Sequence, residues 1–125
     1  MFAQVFAIAI SSLIGLVGIM YMVDPAGSMV AADIHIESPA GRTEIRGIYA
    51  GIHLALSSFL FINVFGDDSL AICLLLILLL FGWAAAGRMV GFLQEGLDKS
   101  DRYNVIVTII EVVLSATSAA LYGTQ

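Results

Sequence analysis

Residues 69–93 read SLAICLLLILLLFGWAAAGRMVGFL, and this stretch decides the fold. It contains a single charged residue, Arg88, and no proline. As an α-helix rising about 1.5 Å per residue it would extend about 37 Å, whereas the hydrocarbon core of a bilayer is roughly 30 Å thick. The stretch therefore predicts a helix that crosses a membrane.

Three further apolar stretches of similar length occupy most of the remaining chain. They predict helices over residues 2–23, 44–65 and 103–121, in addition to 69–93. The 125 residues are 60% hydrophobic and 12% charged, with a mean hydropathy of +1.00. A water-soluble domain of this size would carry more charge. The sequence predicts an all-α protein, a four-transmembrane-helix antiparallel bundle that forms a single integral membrane domain over residues 1–125.

The basic residues are distributed unevenly along the chain. They are Arg42, Arg46, Arg88, Lys99 and Arg102. All of them lie in or near the first and last connectors, whereas the turn between the second and third helices carries only Asp67 and Asp68. Cytoplasmic loops of membrane proteins are enriched in lysine and arginine. We therefore expect connectors 24–43 and 94–102 to be cytoplasmic and both termini to be outside.

Composition argues against several classes of partner and site. A net charge of -5 without a polybasic cluster opposes binding to nucleic acid. Cys73 is the single cysteine, which excludes an internal disulfide and a cysteine zinc site and favours a buried apolar role. Neither His35 nor His53 has a second ligand at helical spacing, so we predict no metal site. Motifs of hydrolases and nucleotide-binding enzymes are absent from the sequence.

The second predicted helix carries a polar stripe. Arg46, Tyr49 and His53 follow one another at intervals of three and then four residues, so they share one helix face. His53 lies about 14 Å into the helix, counted from residue 44. A histidine at this depth is more often an interhelical hydrogen-bond donor than a metal or haem ligand. The three residues are candidates for a polar site between helices.

The fourth predicted helix carries a second polar stripe, which consists of Thr108, Glu111, Ser115 and Ser118. Glu111 lies about 12 Å deep, where a charge that faces lipid is costly, so we expect it to face the protein interior and pair with Arg88. The pair could be a structural link between helices or part of a site for a ligand or protons. Alternatively, Arg88 could extend to the interface without a partner. The predicted ligand-binding site or polar network consists of Arg46, Tyr49, His53, Arg88 and Glu111.

Two pairs of glycines adjoin the buried arginines. They are Gly47 and Gly51 on the second helix, and Gly87 and Gly91 on the third. Small residues four positions apart let the backbones of membrane helices approach closely. On the first helix, Gly15 and Gly18, with Ser11, offer a similar smooth face. We predict that all of these glycines serve helix packing rather than chemistry.

The segment EIRGIYAG, residues 44–51, followed by Gly87 and Arg88 on the third helix, resembles the DUF4345 family of small four-helix bacterial membrane proteins. The likeness covers nearly the whole chain. In that family the second helix opens with Arg-x-x-Tyr-Gly-Gly, and this chain has alanine in place of the first glycine of the pair. The resemblance implies a place in the bacterial inner membrane and no particular activity. A looser likeness to DoxX-like membrane bundles hints at quinone or lipid-linked biology.

Three functions fit these observations. The main hypothesis is a non-enzymatic bundle that binds an apolar or amphipathic molecule or stabilises a membrane complex. The alternative is an enzyme or redox subunit for a quinone or other lipid-soluble substrate, with Glu111 or His53 moving protons. A small transporter is the second alternative, and it would have to form oligomers. No cofactor is predicted, although a quinone or lipid would fit. The expected partners are the lipid bilayer, an apolar or amphipathic small molecule, and a second copy of the chain or a membrane complex.

Overall fold

The computed structural model describes residues 1–96 and 102–125, and for residues 67 and 68 it describes the backbone alone. The helices are α1 (Phe2–Val23), α2 (Gly27–Val30), α3 (Pro39–Glu44), the π-helix π1 (Ile45–Ala50), α4 (Gly51–Asn63), α5 (Asp67–Glu95) and α6 (Arg102–Tyr122). Over the described ranges all regular structure is helical. The all-α prediction is confirmed.

Four helical segments are long and apolar enough to cross a membrane. They are Phe2–Val23, Pro39–Asn63, Ser69–Glu95 and Arg102–Tyr122. Because hydrocarbon offers no hydrogen-bonding partner, a backbone that crosses it must satisfy its own N–H and C=O groups, and a helix does so. The chain is an integral membrane protein with four spanning helices, as the sequence predicts.

The second span begins at Pro39, earlier than the predicted start at residue 44. Ser38 lies just before the helix, and its Oγ accepts a hydrogen bond of 3.0 Å from the backbone N–H of Gly41. Serine is a favoured residue at this capping position, and proline is well tolerated in the first turn because its missing N–H would have no partner there. Ser38 and Pro39 together therefore start the helix before the apolar residues begin.

The second span contains a π-helical turn. The 6 residues Ile45–Ala50 form π1, and helical backbone continues into it from α3 and out of it into α4. In a π-helix each N–H bonds to the carbonyl five residues earlier, and such turns are rare and frequently lie at functional sites. Two of the predicted site residues, Arg46 and Tyr49, lie in π1.

Backbone contacts divide the chain into two compact units, Met1–Gly66 and Asp67–Gln125, and each is described by itself. In the first unit α1 packs antiparallel against π1 and α4. Ser11 Oγ donates to the Ser57 carbonyl and Ser57 Oγ donates to the Ser11 carbonyl, each over 2.9 Å. This reciprocal, buried pair fixes the register of the two helices. That the whole chain forms a single domain stays a prediction.

Two glycines of α1 lie directly against side chains of α4. A methyl group built at Gly15 would lie 2.6 Å from Ser57 Oγ, and one built at Gly18 would lie 3.0 Å from His53 Cβ. Both glycines belong to the smooth face predicted for the first helix. A methyl group at Gly47, Gly51, Gly87 or Gly91 meets no described atom within 4 Å, and a packing role for these four stays a prediction. In the first unit, the close approach therefore occurs at glycines of α1, because the reciprocal serines bring that face against α4.

In the second unit α5 and α6 pack antiparallel. Ser115 Oγ donates to the Leu78 carbonyl over 3.1 Å, and Ser118 Oγ donates to the Leu74 carbonyl over 2.6 Å. The polar stripe predicted for the fourth helix therefore faces α5. Cys73 is fully buried, which agrees with its predicted apolar role.

Replacing Gly15 by alanine tests the close approach in the first unit. We expect Gly15→Ala to lower the free energy of unfolding by about 1–3 kcal/mol, because the added methyl group would displace Ser57 Oγ and break the reciprocal serine pair. Unfolding of the protein in detergent, followed by circular dichroism, measures this loss.

Gly51→Ala is the matched control in the same unit. Its methyl group meets no described neighbour, and alanine is the better helix former, so this variant should be as stable as the wild type or slightly more stable. Equal stability of the two variants would contradict the close approach at Gly15.

Candidate functional site

Arg88 of α5 and Glu111 of α6 form an ion pair within the second unit. Arg88 Nη1 donates to Glu111 Oε1 over 2.5 Å. The Glu111 side chain is 8% exposed, and that of Arg88 is 31% exposed. The predicted pairing is confirmed. Glu111 belongs to the same stripe of α6 as the serines that bond to α5, so the pair extends that interface toward the charged ends of the two helices.

The second carboxylate oxygen of Glu111, Oε2, is buried and has no hydrogen-bond partner among the described residues. A buried polar atom without a partner costs about 1–3 kcal/mol. Arg88 therefore satisfies only half of this carboxylate. In this arrangement Oε2 can accept a hydrogen bond from a polar group of a bound molecule, or it can take up a proton.

Arg88 also lines an open groove of about 250 Å³ at the end of α5, which we call the Arg88 groove. Its lining residues are Arg88, Gly91, Phe92, Glu95, Gly96 and Asn104. The helix ends at Glu95. The next residue, Gly96, has a φ of 80° and donates its N–H to the Phe92 carbonyl over 3.1 Å. Glycine adopts this left-handed conformation without strain. The groove therefore offers a guanidinium, a carboxylate and an amide beside the end of a spanning helix.

Two polar residues of the Arg88 groove, Glu95 and Asn104, were not predicted from the sequence. Glu95 follows Arg88 by two helical turns, so the same spacing argument that grouped the other polar residues places both on one face. For Asn104, no spacing in the sequence indicates a place beside Arg88. It lies on the next helix, and only the packing of α6 against α5 brings it to the groove.

In the first unit, Arg46 bonds to the end of α1. Its Nε donates to the Met22 carbonyl over 2.9 Å. The last carbonyls of an α-helix have no partner within the helix, and a positive charge near that end interacts favourably with the helix dipole. Arg46 therefore acts here as a cap that joins π1 to α1.

Tyr49 and His53 lie against a third ring, Tyr21 of α1. The ring centroids are 5.9 Å apart for Tyr21 and Tyr49 and 5.2 Å apart for Tyr21 and His53, both in edge-on geometry. His53 Nδ1 lies 2.7 Å from the Tyr49 carbonyl. Because a carbonyl only accepts, Nδ1 is the donor in this hydrogen bond. The predicted shared face of Tyr49 and His53 is confirmed; Tyr21 was missed, since nothing in its spacing connects it to another helix.

The residues of the predicted network lie in both units. Arg46, Tyr49 and His53 belong to the first unit, and Arg88 and Glu111 belong to the second. That all of them form one network stays a prediction. Within residues 1–96 and 102–125, no group of three or more His, Cys, Asp or Glu side chains lies close enough together to hold a metal ion.

A double-mutant cycle separates two contributions to the free energy of unfolding. One is the net contribution of the ion pair, and the other is the cost of leaving one of its charges unpaired. We expect Arg88→Met and Glu111→Leu to lower the free energy of unfolding by about 3–5 kcal/mol each, because each leaves an uncompensated charge in the membrane. The double variant should recover most of the loss, because apolar side chains of similar volume replace the pair. Unfolding in detergent measures all three variants.

The exposed pair of His35 and Asp33 provides the control. These side chains are 67% and 91% exposed, so replacing Asp33 by asparagine should change stability very little. If the losses of the two single variants simply add in the Arg88 and Glu111 double variant, the two side chains are not energetically coupled.

Residues 2–122 match the family described as Domain of unknown function (DUF4345). No curated protein and no solved structure matches the chain. The looser likeness to DoxX-like bundles stays a prediction. Because the match covers nearly every residue, including both units and the segment 44–51 on which the resemblance was based, the chain belongs to the DUF4345 family.

Proposed function

We propose that this small integral membrane protein is a non-enzymatic binding protein for an amphipathic molecule. The polar end of that molecule would lie at Arg88 and Glu111, and its apolar part would lie along α5 and α6. The observation that carries this proposal is the asymmetry of the ion pair, in which one partner is buried and the other lines the open Arg88 groove.

An ion pair that serves only to hold helices together is best closed on all sides, because each unsatisfied group in the membrane costs free energy. This pair departs from that arrangement at both ends. Within the described part of the chain, Glu111 Oε2 has no hydrogen-bond partner, and Arg88 presents its partly exposed guanidinium to the groove. A guanidinium has several N–H donors, and the bond to Glu111 uses one. The pair can therefore bind a polar group without being broken.

The same helix pair offers apolar surface for the rest of such a molecule. A groove of about 320 Å³ runs between α5 and α6, and its lining includes Gly82, Ala85, Met89, Val112 and Ala116. The small side chains in this set keep the groove open. Ligand sites are mostly apolar with a few polar groups that fix orientation, and the second unit provides both kinds of surface.

The second candidate function is an enzyme or redox subunit that acts on a quinone or other lipid-soluble substrate. It is favoured by Glu111 Oε2, since a buried carboxylate oxygen without a partner is a candidate proton acceptor. A small transporter that forms oligomers, and a protein that stabilises a membrane complex, are the remaining candidates.

We further propose that the protein lies in the bacterial inner membrane with connectors 24–43 and 94–102 in the cytoplasm and both termini outside. The support for this orientation is the position of every lysine and arginine in or beside those connectors.

Native mass spectrometry from mild detergent tests the binding function. We expect the wild type to retain an amphipathic molecule, and the Arg88→Met, Glu111→Leu double variant to lose it, because the polar contacts are gone while the fold remains. Arg42→Gln, which removes an arginine from α3 in the first unit, should retain the molecule. Equal retention by the double variant would show that the ion pair does not contribute to binding. A retained quinone would favour the second candidate function.

Labelling of single cysteines in intact cells tests the orientation. In a Cys73→Ala background, a membrane-impermeant maleimide should label Thr124→Cys before the membrane is permeabilised and Glu37→Cys only afterwards. The two positions lie near the C-terminus and in the first connector. The opposite pattern would invert the proposed topology.

A further inference from the structure

The Arg88 groove has groups of opposite charge at different depths. We propose that it binds the head group of a zwitterionic aminophospholipid of the phosphatidylethanolamine class. This inference rests on the proposed binding function and narrows the molecule that is bound.

The deeper end of the groove suits a phosphate. The Arg88 guanidinium is partly exposed there, and its N–H groups beyond the one bonded to Glu111 can donate to phosphate oxygens. Guanidinium groups bind phosphate with two parallel hydrogen bonds, which gives strength and orientation. Asn104, on the opposite helix, adds an amide that can donate to the same group.

Charge distinguishes a zwitterionic lipid from an anionic one. Arg88 and Glu111 cancel each other, so the carboxylate of Glu95 is the uncompensated charge among the residues that line the groove. A head group with a net negative charge would bring a second negative charge beside it. A primary ammonium offsets the Glu95 charge and also donates hydrogen bonds to the carboxylate. The fully methylated ammonium of a choline head group carries the same charge but has no N–H group to donate.

The order of the groups along the helix matches the order of the groups in the lipid. Glu95 is the last residue of α5 and lies about 10 Å beyond Arg88 toward the membrane surface. In phosphatidylethanolamine the phosphate joins the glycerol to the ethanolamine, so the ammonium is farther from the acyl chains than the phosphate is. The ammonium therefore corresponds to Glu95, the phosphate to Arg88, and an acyl chain to the apolar groove that contains Ala85 and Met89.

The test compares the binding of three phospholipids to the purified protein by native mass spectrometry. We expect phosphatidylethanolamine to bind more tightly than phosphatidylcholine and phosphatidylglycerol. Glu95→Gln should weaken phosphatidylethanolamine binding roughly twofold to fivefold, as expected for the loss of one exposed ion pair, and weaken phosphatidylcholine binding less, because choline donates no hydrogen bond to the carboxylate. Glu95 is exposed, so this variant should fold normally.

Glu37→Gln is the matched control, because it makes the same change of charge at an exposed position of the first unit. It should leave all three affinities unchanged. An unaltered lipid preference in Glu95→Gln, or a wild type that prefers phosphatidylglycerol, would overturn the inference while the binding function stands. If soluble phosphoethanolamine displaced the lipid at equal concentration, the acyl chains would contribute nothing to binding. The occupant would then be a soluble molecule with this head group and not a membrane lipid. Failure of all three phospholipids to bind the wild type would also overturn the inference. The proposed function itself would be refuted only if the purified wild type retained no amphipathic molecule of any kind.

Discussion

Hydrocarbon supplies no hydrogen bonds, so a polar group within the membrane must find its partner inside the protein or in a bound molecule. The hydroxyl groups of the spanning helices follow this constraint. Ser12 and Thr108 donate to carbonyls one turn earlier in their own helices, which satisfies the hydroxyl without connecting two elements. Ser11, Ser57 and Ser118 donate to carbonyls of a neighbouring helix and therefore hold two helices together.

Each unit contains an arginine in a spanning helix, and the two arginines bond to different kinds of acceptor. In the first unit the cation is Arg46, which bonds to a carbonyl that the end of α1 leaves without a partner. That arrangement needs no acidic residue, because the helix end supplies the partial negative charge. In the second unit the cation is Arg88, which bonds to the buried carboxylate of Glu111. Burying two full charges is costly unless the hydrogen bonding of both groups is complete. Among the described residues of the second unit the hydrogen bonding of Arg88 and Glu111 is incomplete, so a bound polar group would stabilise this pair.

This difference is why the second unit is the better candidate for a binding site. Arg46 and the rings of Tyr21, Tyr49 and His53 form a connected set in which each member contacts α1 or is part of it. The ion pair, by contrast, ends in a buried oxygen on one side and an open groove on the other. A polar head group placed in the groove would complete the hydrogen bonding of Arg88, and the bilayer that surrounds the protein is the nearest source of such groups.

The sequence by itself determined the helical fold, the four spans and the pairing of Arg88 with Glu111. Each of these follows from the cost of placing polar groups in hydrocarbon, and that cost depends on composition and helical spacing alone. It also determined that Tyr49 and His53 share a face, since both lie on one helix. Only the tertiary structure decided that Gly15 and Gly18 lie against Ser57 and His53, that Tyr21 joins the ring cluster and that Asn104 lines the groove. These features depend on how one helix is rotated and shifted against another, and that is set by side-chain contacts between residues far apart in the chain, which spacing along a single helix does not encode.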